Sequence, residues 1–358
     1  MASPFGVMNA DFAREVFGDS ADRLIEAGFD IGALRPYRGK DGRSYVTRTI
    51  DGKPKVMVTN APSVLTYDAY KLFDDTIVTT LQENLKLLAD VRSRPGMTYN
   101  IPNGMAHTML QYQTQGDITP ATISMDPVRR SEGDRAETNI ITFPLPIIHK
   151  DFDFSAREIA TSRLGQLPLD TSTAALAATK VAQAIEQLAT GVISFTYGGS
   201  TIYGLINFPY RATKTDLTAP TGSNGTTVIN ELLAVRQMLI DDKHFGPYRL
   251  YVNSQWAQVL DNDFSTAKGD NTLRQRILAI KDIEDIVTLD FLPTTQWHYA
   301  LVEMKSSTVR SVVGFEAQTI QWESLGGMRK HFKVMAMVLL QLRADTDGNS
   351  GVAHARTA

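Results

Sequence analysis

The sequence predicts an α+β fold: two compact parts, joined to an arm and a long polar ribbon. Three observations carry this reading. Residues 67–92 and 170–191 each place apolar side chains on one stripe at helical spacing. Residues 97–136 are polar, β-leaning and poor in large aliphatics, which suits an extended ribbon and not a packed element. From residue 226 onward, short helical and strand-like runs alternate, as in a mixed sheet that carries helices.

Composition sets the outer limits. In 358 residues, 43% apolar and 21% charged content is that of a globular chain and excludes collagen, coiled coil and wholesale disorder. Lys plus Arg is 36 and Asp plus Glu is 39, a net charge of −3, which argues against a chain whose main task is gripping a phosphate backbone. The absence of cysteine excludes disulfides, a thiolate nucleophile and cysteine-rich zinc sites. The longest apolar run, Val334 to Leu340, is far short of the about 20 residues of a membrane span. The N-terminal stretch MASPFGVMNADFAREVFGD places acids where a signal peptide needs an apolar core, so a soluble chain made in the cytoplasm is expected.

The elements follow in chain order. Asn9 to Ala27 has helical spacing through Phe12, Val16, Leu24 and Ile25, and Pro36 stops it. Residues 37–59 are charged and turn-rich. Asp41-Gly42 and Asp51-Gly52 stand between strand-like runs, the signature of hairpins. Residues 1–66 therefore read as an arm with local structure. In 67–92 the stripe is Tyr70, Phe73, Ile77, Leu81, Leu85, Leu88 and Val91, and Pro95-Gly96 ends it. After the ribbon, Thr138 to His149 is strand-like, but Pro144 and Pro146 confine it to an edge. The helix 170–191 is capped by Asp170, Thr171 or Ser172 and ended by Gly191, with a stripe of Ala178, Val181, Ile185 and Leu188. Val228 to Ile240, Gln255 to Leu260 and Thr272 to Ile280 read as helices. Arg249 to Val252, Asp282 to Leu289, Tyr299 to Met304, Thr308 to Phe315, Gln318 to Trp322 and Phe332 to Leu342 read as strands. The tail, 344–358, is small and polar and is expected to be mobile.

Chemical motifs are few. The nearest nucleophile turn, Gly198-Gly199-Ser200-Thr201-Ile202, lacks the closing glycine and reads as a turn. His149, Asp151 and Asp153 would share one face of a strand, with Phe152 and Phe154 on the other. That face suits either a metal-dependent hydrolase or an ordinary half-buried strand. Asp345, Asp347 and Asn349 begin like a calcium loop, but Ser350 stands where glycine is required and Arg356 where the acid is. In the ribbon, Arg129, Arg130, Glu132, Asp134, Arg135 and Glu137 alternate in sign. They suit a solvated loop or an arm that docks on a neighbour through complementary ion pairs.

The order of these elements resembles that of the HK97-type major capsid proteins of tailed bacteriophages, a fold shared with encapsulins. TSTAALAATKVAQAIEQLATG followed by TIYGLINFP is similar to that family's spine helix and the turn leaving it. HFGPYRLYVNSQWAQVLDND is similar to its A-domain strand and helix. Phe315 to Trp322 and Phe332 to Leu342 resemble its closing strands. The resemblance implies an N-terminal arm at 1–66, a leading helix at 67–96 and an E-loop hairpin at 97–136. It implies a P-domain at 137–209 with its spine helix at 170–191, an A-domain of mixed sheet and helices at 210–327, and a closing P-domain strand at 328–343.

It also implies a non-enzymatic shell protein without cofactors, self-assembling into pentamers and hexamers of an icosahedral virion. Such a shell encloses double-stranded DNA without sequence recognition, is assembled in the host cytoplasm and has no contact with membrane. The alternatives are an encapsulin-type nanocompartment and, from another class, the hydrolase at His149, Asp151 and Asp153. A portal protein is expected, with a decoration protein as an optional addition. The short arm leaves little room for a cleaved scaffolding segment, so a separate scaffolding protein is expected. Some members cross-link through an E-loop lysine, but 97–136 holds no lysine, so a non-covalent shell is expected.

Overall fold

The computed structural model of the chain describes residues 37–38, 44–50, 53–59, 75–81, 85–116, 118–123, 125, 133, 135–164, 172–221, 224–262, 271–324 and 328–358. The expected helix Asn9 to Ala27 lies outside them. In the arm, β1 (Tyr37–Arg38), β2 (Ser44–Ile50) and β3 (Lys53–Thr59) form a three-stranded antiparallel sheet. Ile50 pairs with Lys53, so β2 and β3 pair as a hairpin around the Asp51-Gly52 step that the sequence signals, which itself lies outside the described residues.

The expected single helix at 67–92 is corrected. Helical residues 75–81 (α1) and Lys86–Arg92 (α2) are separated at Leu85, whose ψ of 70° is outside the helical range. Next come β4 (Thr98–Asn100), a 3₁₀ turn at Gly104–Ala106, β5 (Met109–Gln115), β6 (Thr138–Pro144) and β7 (Ile148–Ser155). β5 and β6 pair antiparallel over seven positions, from Met109↔Pro144 to Gln115↔Thr138. The ribbon boundary at 136 therefore moves: its returning strand is the proline-flanked segment assigned to the P-domain. Pro144 is tolerated as the last residue of β6 because this ribbon is a two-stranded sheet, all edge, and Pro146 falls between β6 and β7, outside any strand.

α3 (Ala156–Leu164) leads to α4 (Ser172–Thr190). Ala174, Ala177, Ala178, Val181, Ala182, Ile185, Leu188 and Ala189 of α4 are buried, and the small side chains let the helix lie close on β7 and on the later strand Arg329–Leu342. Gly191, at φ +90°, ends the helix in a conformation that glycine favours. The Gly204-Leu205-Ile206-Asn207 turn then folds back onto the helix end. Leu205 N–H donates to the Ala189 carbonyl (3.1 Å) and Ile206 N–H to that of Thr190 (3.0 Å), satisfying carbonyls that a helix end leaves free. Between them, β8 (Phe195–Tyr197) and β9 (Ser200–Ile202) make a hairpin through Gly198-Gly199, so the Gly-Gly-Ser stretch is a turn.

The next segment holds β10 (Ala212–Leu217), α5 (Gly225–Asp241), β11 (Tyr248–Asn253), α6 (Trp256–Asp261), α7 (Leu273–Leu278), β12 (Ile283–Leu289) and β13 (His298–Glu303). β14 (Val309–Ser324) and β15 (Arg329–Leu342) follow as one long antiparallel hairpin, and β16 (Val352–Thr357) ends the chain. Two sheets organise the whole. One has the order β4-β14-β15-β7, the other β10-β16-β13-β11-β12. The A-domain boundary at 327 is corrected by this pairing: β14 runs along β15 from Val309↔Leu342 to Ser324↔Arg329 and belongs to the first sheet. The two strands expected within it are one, interrupted by bulges between Val313 and Gln318.

The mobile tail is also corrected. β16 lies in the interior of the second sheet, parallel to β10 and antiparallel to β13. Val352, Ala353 and Ala355 are fully buried. Only small side chains fit a strand covered this closely, and their lack of bulk is what makes the segment look like solvent-exposed tail. His354 stacks on His298 of β13, with Nδ1 of His298 3.0 Å from Nε2 of His354. Burial, with His298, Arg211 and Arg356 nearby, holds His354 down at about 3.

Deleting residues 348–358 is expected to abolish cooperative thermal unfolding of the second sheet, where a mobile tail would be dispensable; circular dichroism melts decide. Because the His354 pKa lies below the ordinary 6.5, its contribution is complete above about pH 6.5 and is lost as pH falls toward about 3. Replacing His354 with Asn should flatten that acid limb of the stability–pH curve.

Candidate functional site

Three surfaces carry the chain's unspent chemistry: the α2 junction, the β7 acid face and the ribbon. The junction begins with a helix too short to sustain itself. At seven residues α2 is well below the about 12 that an isolated helix needs, and no side chain caps its N-terminus from within. Its cap comes from α4. The Glu186 carboxylate, 2% exposed, accepts from Leu87 N–H (3.1 and 3.3 Å) and Leu88 N–H (3.2 Å). Burial pushes that carboxyl up to about 7, although both N–H groups and Lys86 favour the anion.

The remaining turns of α2 reach outward. Lys86 pairs with Asp290 at 2.5 Å, and Asp90 accepts from Tyr251 (2.7 Å) and pairs with Arg249 (3.0 Å), both on β11. Arg92 pairs with Glu316 of β14, and Arg94 just beyond pairs with Glu284 of β12. Residues 86–94 thus tie α4, the first sheet and the second sheet together. Sequence reasoning missed this centre. The available signal was a glutamate at 186 on the buried alanine face of α4, between Ala182 and Ala189.

The β7 face has His149, Asp151 and Asp153 on one side and Phe152 and Phe154 on the other, as the alternation predicts. The two rings pack on Phe332 of β15, stacked at 5.2 Å and edge-on at 5.9 Å. The three polar groups are about half exposed, and their charges are met across the strands: Lys333 lies 3.5 Å from Asp151 and Arg329 3.2 Å from Asp153. The geometry is that of cross-strand ion pairs over a phenylalanine core. Among the described residues no cluster of three or more His, Asp or Glu could hold a metal ion. The Asp345 turn is closed by Asn349, whose backbone and side-chain N–H groups donate to its carboxylate at 2.7 and 2.9 Å.

The ribbon is rooted and then released. At its root Phe143 and Leu145 are buried with Ile202, Val312, Phe315 and Met337, and Leu110 and Tyr112 pack against them. Arg343 lies over the Tyr112 ring at 5.3 Å. Beyond β5 the side chains enter water: Ile123 is 99% exposed and Met125 105%. Of the alternating charges, Arg135 and Glu137 are exposed beside the start of β6, while Arg129, Arg130, Glu132 and Asp134 lie outside the described residues. No helix among the described residues is long and apolar enough to cross a membrane.

With this geometry in place, the chain can be compared with known proteins. A model of a family of unknown function, DUF6260, matches residues 60–355. No curated protein matches. Solved structures do. A virus-like particle from Pyrococcus furiosus is 12% identical with a TM-score of 0.56, over 81% of this chain and 99% of that one. The capsid of Myoviridae phage XM1 is 10% identical with a TM-score of 0.58, over 76% and 92%. The capsid of a native GTA particle is 13% identical with a TM-score of 0.52, over 78% and 90%. At such identities the likeness is one of fold.

Glu186 offers a direct test of the junction. Its pKa is raised, so its contribution to stability is complete below about pH 4.5 and is lost as pH rises through about 7. The stability of wild type relative to Glu186→Gln should fall by about 3 kcal/mol between pH 4 and 8, at 1.36 kcal/mol per unit. Denaturant titrations at the two pH values read it, and a difference independent of pH contradicts it.

Proposed function

We propose that this chain, which belongs to the DUF6260 family of unknown function and has the HK97-type capsid fold, is the major capsid protein of a tailed bacteriophage. Its task is structural: copies join as pentamers and hexamers into an icosahedral shell around double-stranded DNA. The observation that carries this is the ribbon. A hairpin rooted in the core whose far end holds fully exposed Ile123 and Met125 is incomplete as a monomer, in a fold that solved shells also use. The near-neutral charge suits a container that holds its DNA without gripping it.

In this reading each ribbon lies over a neighbouring subunit. The alternating charges from Arg129 to Glu137 set its register, because complementary ion pairs select geometry more than they add affinity. The arm sheet reaches across another subunit, and the second sheet with its helices gathers near the local symmetry axis. The ribbon, redrawn to end at Pro144, still contains no lysine, so the shell is held without covalent cross-links. A portal and a separate scaffolding protein complete the assembly in the host cytoplasm, and a decoration protein would sit outside it.

The second reading, an encapsulin-type nanocompartment, is favoured by one observation: the match to the archaeal particle spans 99% of that chain. The contents of purified particles, DNA or an enzyme, separate the two.

Sedimentation velocity of the overexpressed chain should show particles far above the 39.5 kDa monomer. Replacing Arg129 and Arg130 together with Glu should cut particle yield at least tenfold while leaving the subunit's thermal unfolding unchanged. Unaltered yield contradicts the role given to these charges. High-mass ladders on denaturing gels of wild-type particles contradict the non-covalent shell.

A further inference from the structure

Strand pairing gathers hydrogen-bond donors without matching acceptors on one face of the first sheet. Arg310 of β14 stands opposite Gln341 of β15, and Val312 stands opposite both Leu339 of β15 and Tyr99 of β4. Side chains alternate along a strand, so Tyr99, Arg310 and Gln341 share a face. Arg343, just past the end of β15, continues the alternation, and its N–H donates to the Thr308 carbonyl (2.8 Å). Val312 and Leu339 of this face carry the root of the ribbon, from which Tyr112 packs against them.

Both guanidiniums lie over tyrosine rings. Arg310 is 4.5 Å from the centroid of Tyr99 and Arg343 is 5.3 Å from that of Tyr112. A ring occupies the flat face of a guanidinium and leaves its N–H edge for other partners. Those edges are poorly supplied. Nε of Arg310 donates to Oε1 of Gln341 (2.5 Å), and Nη2 of Arg343 reaches the Gln113 carbonyl only at 3.5 Å. Nε of Arg343 has no partner, and neither has Nε2 of Gln341, a residue that is fully buried. A buried donor left unmatched is costly. No ion pair joins Arg310 or Arg343 to an acid among the described residues. Burial, and then the Arg343 charge, lower the pKa of Arg310, so two like charges stand near each other without a carboxylate to offset them.

There is room beside them. Arg343 borders a polar cleft of about 620 Å³, which Gln113, Lys243 and Ser307 also line. The two acids in its wall have neighbours of their own: Asp345 accepts from the N–H groups of Asn349, and Asp242 lies beside His244.

We propose that Arg310, Arg343 and the side-chain amide of Gln341 form a binding site for an oxyanion of the phosphate class. All three present donors, from two adjacent strands, and a tetrahedral anion offers acceptor oxygens in several directions at once. The tyrosines hold the guanidiniums in place and so reduce what is lost on ordering them around the ion. The site is built within one chain, so it stands apart from the shell reading and does not depend on assembly. A bound ion would also tie the ribbon's root to the sheet, because Arg343 contacts Tyr112 and Gln113 of β5.

Titration of the full chain with inorganic phosphate at constant ionic strength, read by calorimetry, should show saturable binding at a single site. Replacing Arg310 and Arg343 together with Gln should weaken it at least tenfold. Arg274→Gln, on α7 and paired with Asp261, should leave it unchanged. No saturable binding, or equal binding by the double variant, overturns the proposal.

If the double variant does not fold, the wild type decides. Modification of Arg343 by phenylglyoxal, read by mass spectrometry, should be at least fivefold slower in phosphate than in chloride of the same ionic strength, with Arg274 unaffected. Equal rates at Arg343 overturn the proposal. Competition with dodecathymidylate then identifies the source of the phosphate. Displacement that weakens steeply with salt assigns it to a nucleic acid, and failure to displace assigns it to the free ion; each outcome supports the site.

Discussion

A buried carboxylate accepting two backbone N–H groups holds this structure's parts in relation. Glu186 stands on the apolar face of α4 and caps α2, a helix too short to exist unsupported. Once α2 is fixed, its outward side chains have defined positions, and every charged one finds a partner on a different element: Asp290 after β12, Arg249 and Tyr251 on β11, Glu316 on β14. Breaking one partly buried pair of this kind leaves the other charge stranded, so the junction resists piecemeal loosening. The cost is a carboxyl held in a poorly solvated place. That makes the centre of the molecule sensitive to proton concentration near neutrality.

Around that junction the chain divides into what is self-sufficient and what is not. The two sheets with α4 and α5 bury continuous apolar cores of their own. The ribbon has a core only at its root, where Phe143 and Leu145 are shared with the first sheet. Farther out, Thr114 is still buried and Arg343 donates to the Gln113 carbonyl, but beyond Gly116 residues 118–123 and Met125 are exposed, and a lone two-stranded hairpin is marginal in water. Its persistence as a long feature makes sense when another copy supplies the missing surface.

Much of this was legible in the sequence, for reasons that differ by element. α4 was readable to within about two residues because its stripe, its capping region and Gly191 all agree. Asp51-Gly52 and Gly198-Gly199 marked hairpins because such turns demand particular residues. The alternation at His149 to Phe154 gave the correct faces. What failed depended on partners distant in sequence. β16 looked like tail because Val352, Ala353 and Ala355 are small, and only its place between β10 and β13 explains why they must be. β6 was assigned to the wrong part because pairing with β5, not local propensity, decides its neighbour. The break at Leu85 was invisible because the apolar stripe continues across it, and the Glu186 that makes it tolerable lies about a hundred residues away. Of the charged candidates in the ribbon, spacing alone established their alternation, and Arg129, Arg130, Glu132 and Asp134 lie outside the described residues.

The central claim is that the ribbon is completed by a second copy of the chain. A cryo-electron microscopy reconstruction of the overexpressed protein tests it most directly. The account predicts a closed shell in which residues 118–125 of each subunit are ordered against a neighbour. A monomer that persists at high concentration, or a shell in which that segment projects into solvent untouched, would contradict it.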